Sequence, residues 1–143
     1  MKIYEIRTTL VETAREVESV TSSSQVHQLL LARGFPVVEE FTVLFLNGKH
    51  RVVATEVISR GTLNLAIVHP REVFGPALRL GTCAAIILAH NHPSGDPEPS
   101  AEDLQLTRRM VEVGKLVGIE VVDHLVYAQD EFVSFRERGH LTK

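Results

Sequence analysis

The chain of 143 residues is 44% hydrophobic and 23% charged with a formal net charge of −3, a balance that suits one globular domain with its own core. A single cysteine, Cys83, excludes an internal disulfide framework and fits a reducing cytosol. No run of 18 or more apolar residues and no basic-apolar-small leader pattern occurs. Neither a membrane span nor export is indicated, and the expectation is a soluble cytoplasmic protein.

Lys2 to Val11 reads as a strand or a loosely held arm, and Thr13 to Val20 as a helical start or a linker, so residues 1–21 are set apart from a domain over 22–143. Ser22 to Arg33 has Val26, Leu29 and Leu30 at i, i+3 and i+4, with Gly34 and Pro36 to end a short capped helix. Strands are predicted over Phe41 to Leu46 and Arg51 to Ser59, separated by Asn47-Gly48, a strong hairpin signal. Leu63 to Val68 reads as a further strand. Pro70 opens a helix to about Arg79 that Pro76 should keep short or irregular.

Ala84 to Ala89 is short and apolar, as a buried strand requires, and Glu102 to Val117 has the periodicity of a long helix closed by Gly118. Ile119 to Val122, Leu125 to Ala128 and Phe132 to Phe135 are predicted as closing strands. Alternating elements of this kind predict an α/β fold, an α-β-α sandwich with a central mixed β-sheet.

The chemistry concentrates between the buried strand and the long helix. His90 and His92 stand at the strand's end, where alternation puts them on one face and lets two imidazoles meet one ion. Pro93, Gly95, Pro97 and Pro99 then force a loop. Ser100-Ala101-Glu102-Asp103 has the form of a capping box with Asp in the place of the usual Glu or Gln, so Asp103 falls in the first helical turn. Catalytic zinc typically takes three nitrogen or oxygen ligands and keeps a position open for water. His90, His92 and Asp103 are the candidate ligands of a Zn2+ ion. A closed structural zinc site would draw on cysteines, and the chain has one.

The pattern His90-x-His92-Pro93 followed by Ser100-x-x-Asp103 resembles the JAMM (MPN+ or JAB) metalloprotease motif. Gly61-Thr62-Leu63, His69-Pro70-Arg71-Glu72, His90 through Asp96, Asp123-His124 and Ser134-Phe135 are similar, in order, to the landmarks of its RadC-like branch. The resemblance covers roughly residues 22 to 140. It implies a fold akin to that of cytidine deaminases and a glutamate upstream, at the entry to an apolar strand and usually as Glu-x-Phe. Glu39 takes that place as the catalytic base, with Glu40 the alternative. Alternation puts Glu39 on the face of Phe41 and Val43 and turns Glu40 away, so one of the two at most reaches the metal.

Zinc lowers the pKa of its bound water to about 7 and polarises a carbonyl oxygen. A non-ligand carboxylate can then take the water proton and pass it to a leaving amine, the role given to Glu39. Ser100 either donates its hydroxyl to the developing oxyanion or only caps the helix, since one side chain does not readily do both. Ser94 has no evident base partner for a covalent mechanism. The consecutive His90-Asn91-His92 does not have the wide spacing of the HNH nuclease motif, and no Pro-Cys-x-x-Cys pair exists for a zinc deaminase.

The reading is therefore a zinc-dependent hydrolase of a peptide, isopeptide or related amide bond, with a protein or peptide substrate. The competing reading is a non-catalytic or DNA-repair-associated binding module. Fifteen basic residues are scattered rather than striped, and Arg108-Arg109-Lys115 and Arg136 with Arg138 read as solvated faces, which gives nucleic acid no support from charge. His69 and His124 either position a ligand or substrate from behind the site or are packed outside it. His27, His50 and His140 are expected to be exposed, and Cys83 to be a small buried residue.

Overall fold

The computed structural model describes residues 1–13, 19–61, 65 and 68–141. Its regular elements are helix α1 (Ser23–Ala32), strands β1 (Glu40–Leu46) and β2 (Val52–Arg60), helix α2 (Pro70–Leu80), strand β3 (Ala85–Asn91), helix α3 (Ala101–Val117) and strands β4 (Glu120–Tyr127) and β5 (Phe132–Ser134). Every residue of β1 and β3 is buried, as near-continuous apolar runs demand of strands covered on both faces. The sheet runs β2-β1-β3-β4-β5. β1 is antiparallel to β2 and β3, β3 is parallel to β4, and β4 is antiparallel to β5.

The parallel β3–β4 pair needs a crossover, and α3 supplies it. On one face, Phe41, Val43, Phe45, Ile86 and Leu88 pack against Val73, Phe74 and Ala77 of α2 and Leu106 and Met110 of α3. On the other, Leu44, Leu46, Ile87 and Leu125 pack against Val26 and Leu30 of α1. The expected α/β sandwich with a central mixed sheet is the architecture present.

Several local expectations are corrected. Ile119–Val122 and Leu125–Ala128 are one strand, because the intervening Asp123 finds partners within the sheet: its carboxylate accepts from Ser134 Oγ at 2.5 Å, His124 N at 2.8 Å and Arg136 N at 3.0 Å. Burial nonetheless pushes the Asp123 carboxyl upward. Asn47-Gly48 is part of a longer connection, in which Asn47 Oδ1 accepts from Lys49 N and Arg51 N and His50 takes a φ of 57°. Pro76 sits inside an α2 that nevertheless spans 11 residues.

Lys2–Val11 forms no strand and is exposed. The segment expected over Thr13–Val20 lies mostly outside the described residues, as does most of the strand expected over Leu63–Val68; Leu65 and Val68 are buried in the core beside α2. His27 is buried, not exposed, because α1 lies on the sheet and its ring bonds Ala128 O at 2.9 Å. Cys83 is half-buried, with its thiol pushed up by burial. No helix among the described residues is long and apolar enough to cross a membrane.

Candidate metal centre

The site forms where β1, β3 and the start of α3 converge. His90 shares a sheet face with Ile86 and Leu88, the face that α3 covers, and pairs across the ladder with Phe41. His92 follows immediately after the strand, held by a bond from its N–H to Tyr127 O at 2.7 Å. The two rings stand edge to face with centroids 4.8 Å apart. His92 Nδ1 donates to Asp96 O at 2.8 Å, which leaves Nε2 with its lone pair turned to the site.

Asp103 reaches the histidines because α3 aims one stripe at the sheet. Asp103, Thr107, Met110 and Gly114 recur at helical spacing and all are buried. Its carboxylate Oδ1 lies 2.9 Å from His90 Nδ1 and Oδ2 lies 3.8 Å from His92 Nε2. Burial alone would raise this carboxyl, but the hydrogen bonds from His90 and the Ser100 backbone outweigh it and hold the group well below the usual carboxylate range. Asp103 is thus an anion facing two imidazoles.

Ser100 caps α3. Its Oγ accepts from Asp103 N at 3.1 Å and donates to Asp103 Oδ2 at 2.9 Å, while its backbone N–H donates to the same oxygen at 2.8 Å. The single hydroxyl proton is directed at Asp103, so of the two readings of Ser100 the geometry favours the cap.

Glu39 precedes β1 and is half-buried. One ligand atom from each of Glu39, His90 and His92 can be chosen so that all lie within 4.8 Å of one another. Glu40 points elsewhere and pairs with Arg60, Nε to Oε2, at 3.4 Å. Two carboxylates therefore flank the histidine pair, Asp103 from the helix and Glu39 from the strand entry.

The residues fit a metal ion. His90 Nε2 is buried with no hydrogen-bond partner, so the protein alone does not satisfy that ring.

A family profile described as RadC-like JAB domain matches residues 20–140. The chain belongs to the RadC-like JAB family. A UPF0758 protein of Symbiobacterium thermophilum is 56% identical over 105 residues, 73% of this chain and 44% of that protein. UPF0758 proteins of Bacillus mycoides and Bacillus cereus are each 52% identical over 103 residues, 72% of this chain and 45% of theirs. The chain spans less than half the length of these relatives.

Within this member of the family, His124 lies nearer the site than its place in the sequence indicates. Ile86 faces Val121 while Ile87 faces Asp123, so Val122 is an extra residue in β4. That bulge places His124 opposite Leu88 on the α3 side, where its Nδ1 meets Thr107 Oγ1 at 2.6 Å. Thr107 Oγ1 in turn donates to Asp103 O at 2.6 Å, so the ring buttresses the turn that carries Asp103. Thr107 had no signal beyond its helical spacing from Asp103. His69 caps α2 at an exposed position, its N–H donating to Glu72 Oε1 at 3.0 Å.

Proposed function

We propose that the chain is a metal-dependent hydrolase, with zinc as its ion, that cleaves a peptide, isopeptide or related amide bond. The observation that carries this reading is the convergence of Glu39, His90 and His92 within 4.8 Å, beside the buried Asp103 anion. His90, His92 and Asp103 would hold the ion; Ser100 orients Asp103. When bound, the ion supplies Lewis acidity, which acidifies a coordinated water and polarises the scissile carbonyl.

Glu39 is the proton carrier. It stands within reach of both histidines yet is half-open to solvent, so its carboxylate can take a proton from an entering water and return it to the departing amine. Asp103 is unsuited to that task, because its surroundings hold it ionised and fully buried. A protein or peptide is the proposed substrate class. Arg138, one of the few clustered cations, is engaged by Glu98 at 2.8 Å, which removes it from a free phosphate-binding face.

The test is metal content after mild dialysis of the wild type, His92→Ala and Glu39→Gln, followed by assay on peptide and isopeptide substrates. The expected result is about one zinc per chain in the wild type and Glu39→Gln, with metal lost in His92→Ala and turnover lost in Glu39→Gln by a factor on the order of 10² or more. A wild type that takes up no zinc, or a glutamine variant with full turnover, rejects the reading.

A further inference from the structure

Asn91, the residue between the two histidines, is completely buried on the sheet face opposite them. The antiparallel β1–β3 ladder ends at Phe41–His90, and the next rung would join Glu40 to Asn91. In its place the Asn91 side chain acts as a substitute peptide: Oδ1 accepts from Glu40 N at 2.6 Å, and Nδ2 donates to Val38 O at 2.9 Å and makes a longer contact with Pro36 O at 3.4 Å. Both groups adjoining Glu39 on that side of the backbone are therefore bound to one amide. The carbonyl of Glu39 itself accepts from Gly61 N at 2.9 Å on the other side.

We propose that Asn91 is the positioning residue for Glu39: it fixes the backbone before and after that residue so that the Glu39 carboxylate faces the histidine pair. The physical case is one of bond count and direction. A strand entry lacking ladder partners would fray, and the carboxylate it carries would sample many orientations. A primary amide is the one short side chain that offers a donor and an acceptor in the same arrangement as a peptide. Because Asn91 lies between His90 and His92, one short segment of β3 sets both the histidines and, through the amide, the glutamate. The role of Glu39 that gives this positioning its purpose rests on the hydrolase reading; the clamp itself does not.

The test compares wild type, Asn91→Ala, Asn91→Asp, Glu39→Gln and the Asn91→Ala/Glu39→Gln double variant, each loaded with Co2+ as a spectroscopic probe. Amide hydrogen exchange at Glu40, measured on metal-free protein, should accelerate about tenfold or more in Asn91→Ala while Val43 and Leu44 stay protected. The cobalt visible spectrum of Asn91→Ala should depart from wild type in the same sense as that of Glu39→Gln at unchanged stoichiometry, with no further change in the double variant. If the alanine variant does not fold, Asn91→Asp, which keeps the acceptor for Glu40 but has no donor for Val38, is judged on the cobalt spectrum, which should depart from wild type in the sense of Glu39→Gln; a wild-type spectrum then overturns the proposal. Unchanged Glu40 exchange, or accelerated exchange with a wild-type cobalt spectrum, overturns the proposal. A wild type that binds no cobalt rejects the metal reading instead, and the exchange measurement still decides whether Asn91 holds the Glu39 backbone.

Discussion

His124 is fully buried against Phe41 and Phe135, and desolvation pushes its ring down to about 3. The folded value lies below the unfolded one, so the stability it contributes is complete above about pH 6.5 and is lost as pH falls toward 3, because the unfolded chain takes a proton that the native ring refuses. The loss is about 1.4 kcal/mol per pH unit for such a group. Asp103, held low, has its own window below its ordinary carboxylate value of 3.8, outside the range from pH 6.5 to 4.5. Urea unfolding of metal-free protein between pH 6.5 and 4.5 should therefore show a declining stability that His124→Leu flattens; an unaltered slope in that variant would show that the ring is not its source. At this scale the ligand candidates were legible, since spacing and capping chemistry are local. The facing of His124 was not, because it depends on one extra residue at Val122 that no alternation rule reveals.

At the scale of elements, α3 and its exit decide where the site can form. Gly114 lies inside α3, where alanine would ordinarily gain about 1 kcal/mol in helix propensity. Here a Cβ would meet Ile119 O at 2.4 Å, the carbonyl of the chain as it turns back into β4. That contact is with backbone and cannot be relieved by a side-chain rotation. Gly114→Ala should destabilise the protein by about 2 kcal/mol or more despite its better propensity, measured as a lower urea midpoint at constant m-value. A neutral or stabilised variant would mean that the α3–β4 turn yields freely. The helix limits and the Gly118 terminator, at φ 77°, were readable from periodicity. The close approach at Gly114 was not, because it belongs to a contact between the helix and the residue that follows its turn.

For the whole molecule, the candidate ligands come from the end of β3, the loop after it and the first turn of α3, so one ion would join three parts of the sandwich. A ligand that binds the folded state alone stabilises it by about 2.7 kcal/mol at a free concentration a hundredfold above Kd. For a domain of this size that corresponds to roughly 10 °C in melting temperature. Chelation should lower the Tm of the wild type by that order, whereas His92→Ala should melt at one temperature with or without chelator. Equal melting of loaded and chelated wild type would show that metal and fold are not linked.

The amino-acid sequence by itself determined the layer architecture, because strand and helix periods, proline and glycine stops and the capping box act over a few residues. It also determined the candidates His90, His92 and Asp103, and it set Glu39 apart from Glu40 by alternation. Tertiary structure decided what meets what. It turned Glu40 to Arg60, brought His124 and Thr107 behind the site, and used the Asn91 amide to close a ladder that the backbone leaves open. The reason is physical: each of these depends on the partner available to a polar group across 10 or more residues of chain or across the sheet, and hydrogen-bond partners, unlike periodicity, exist only once the elements have packed.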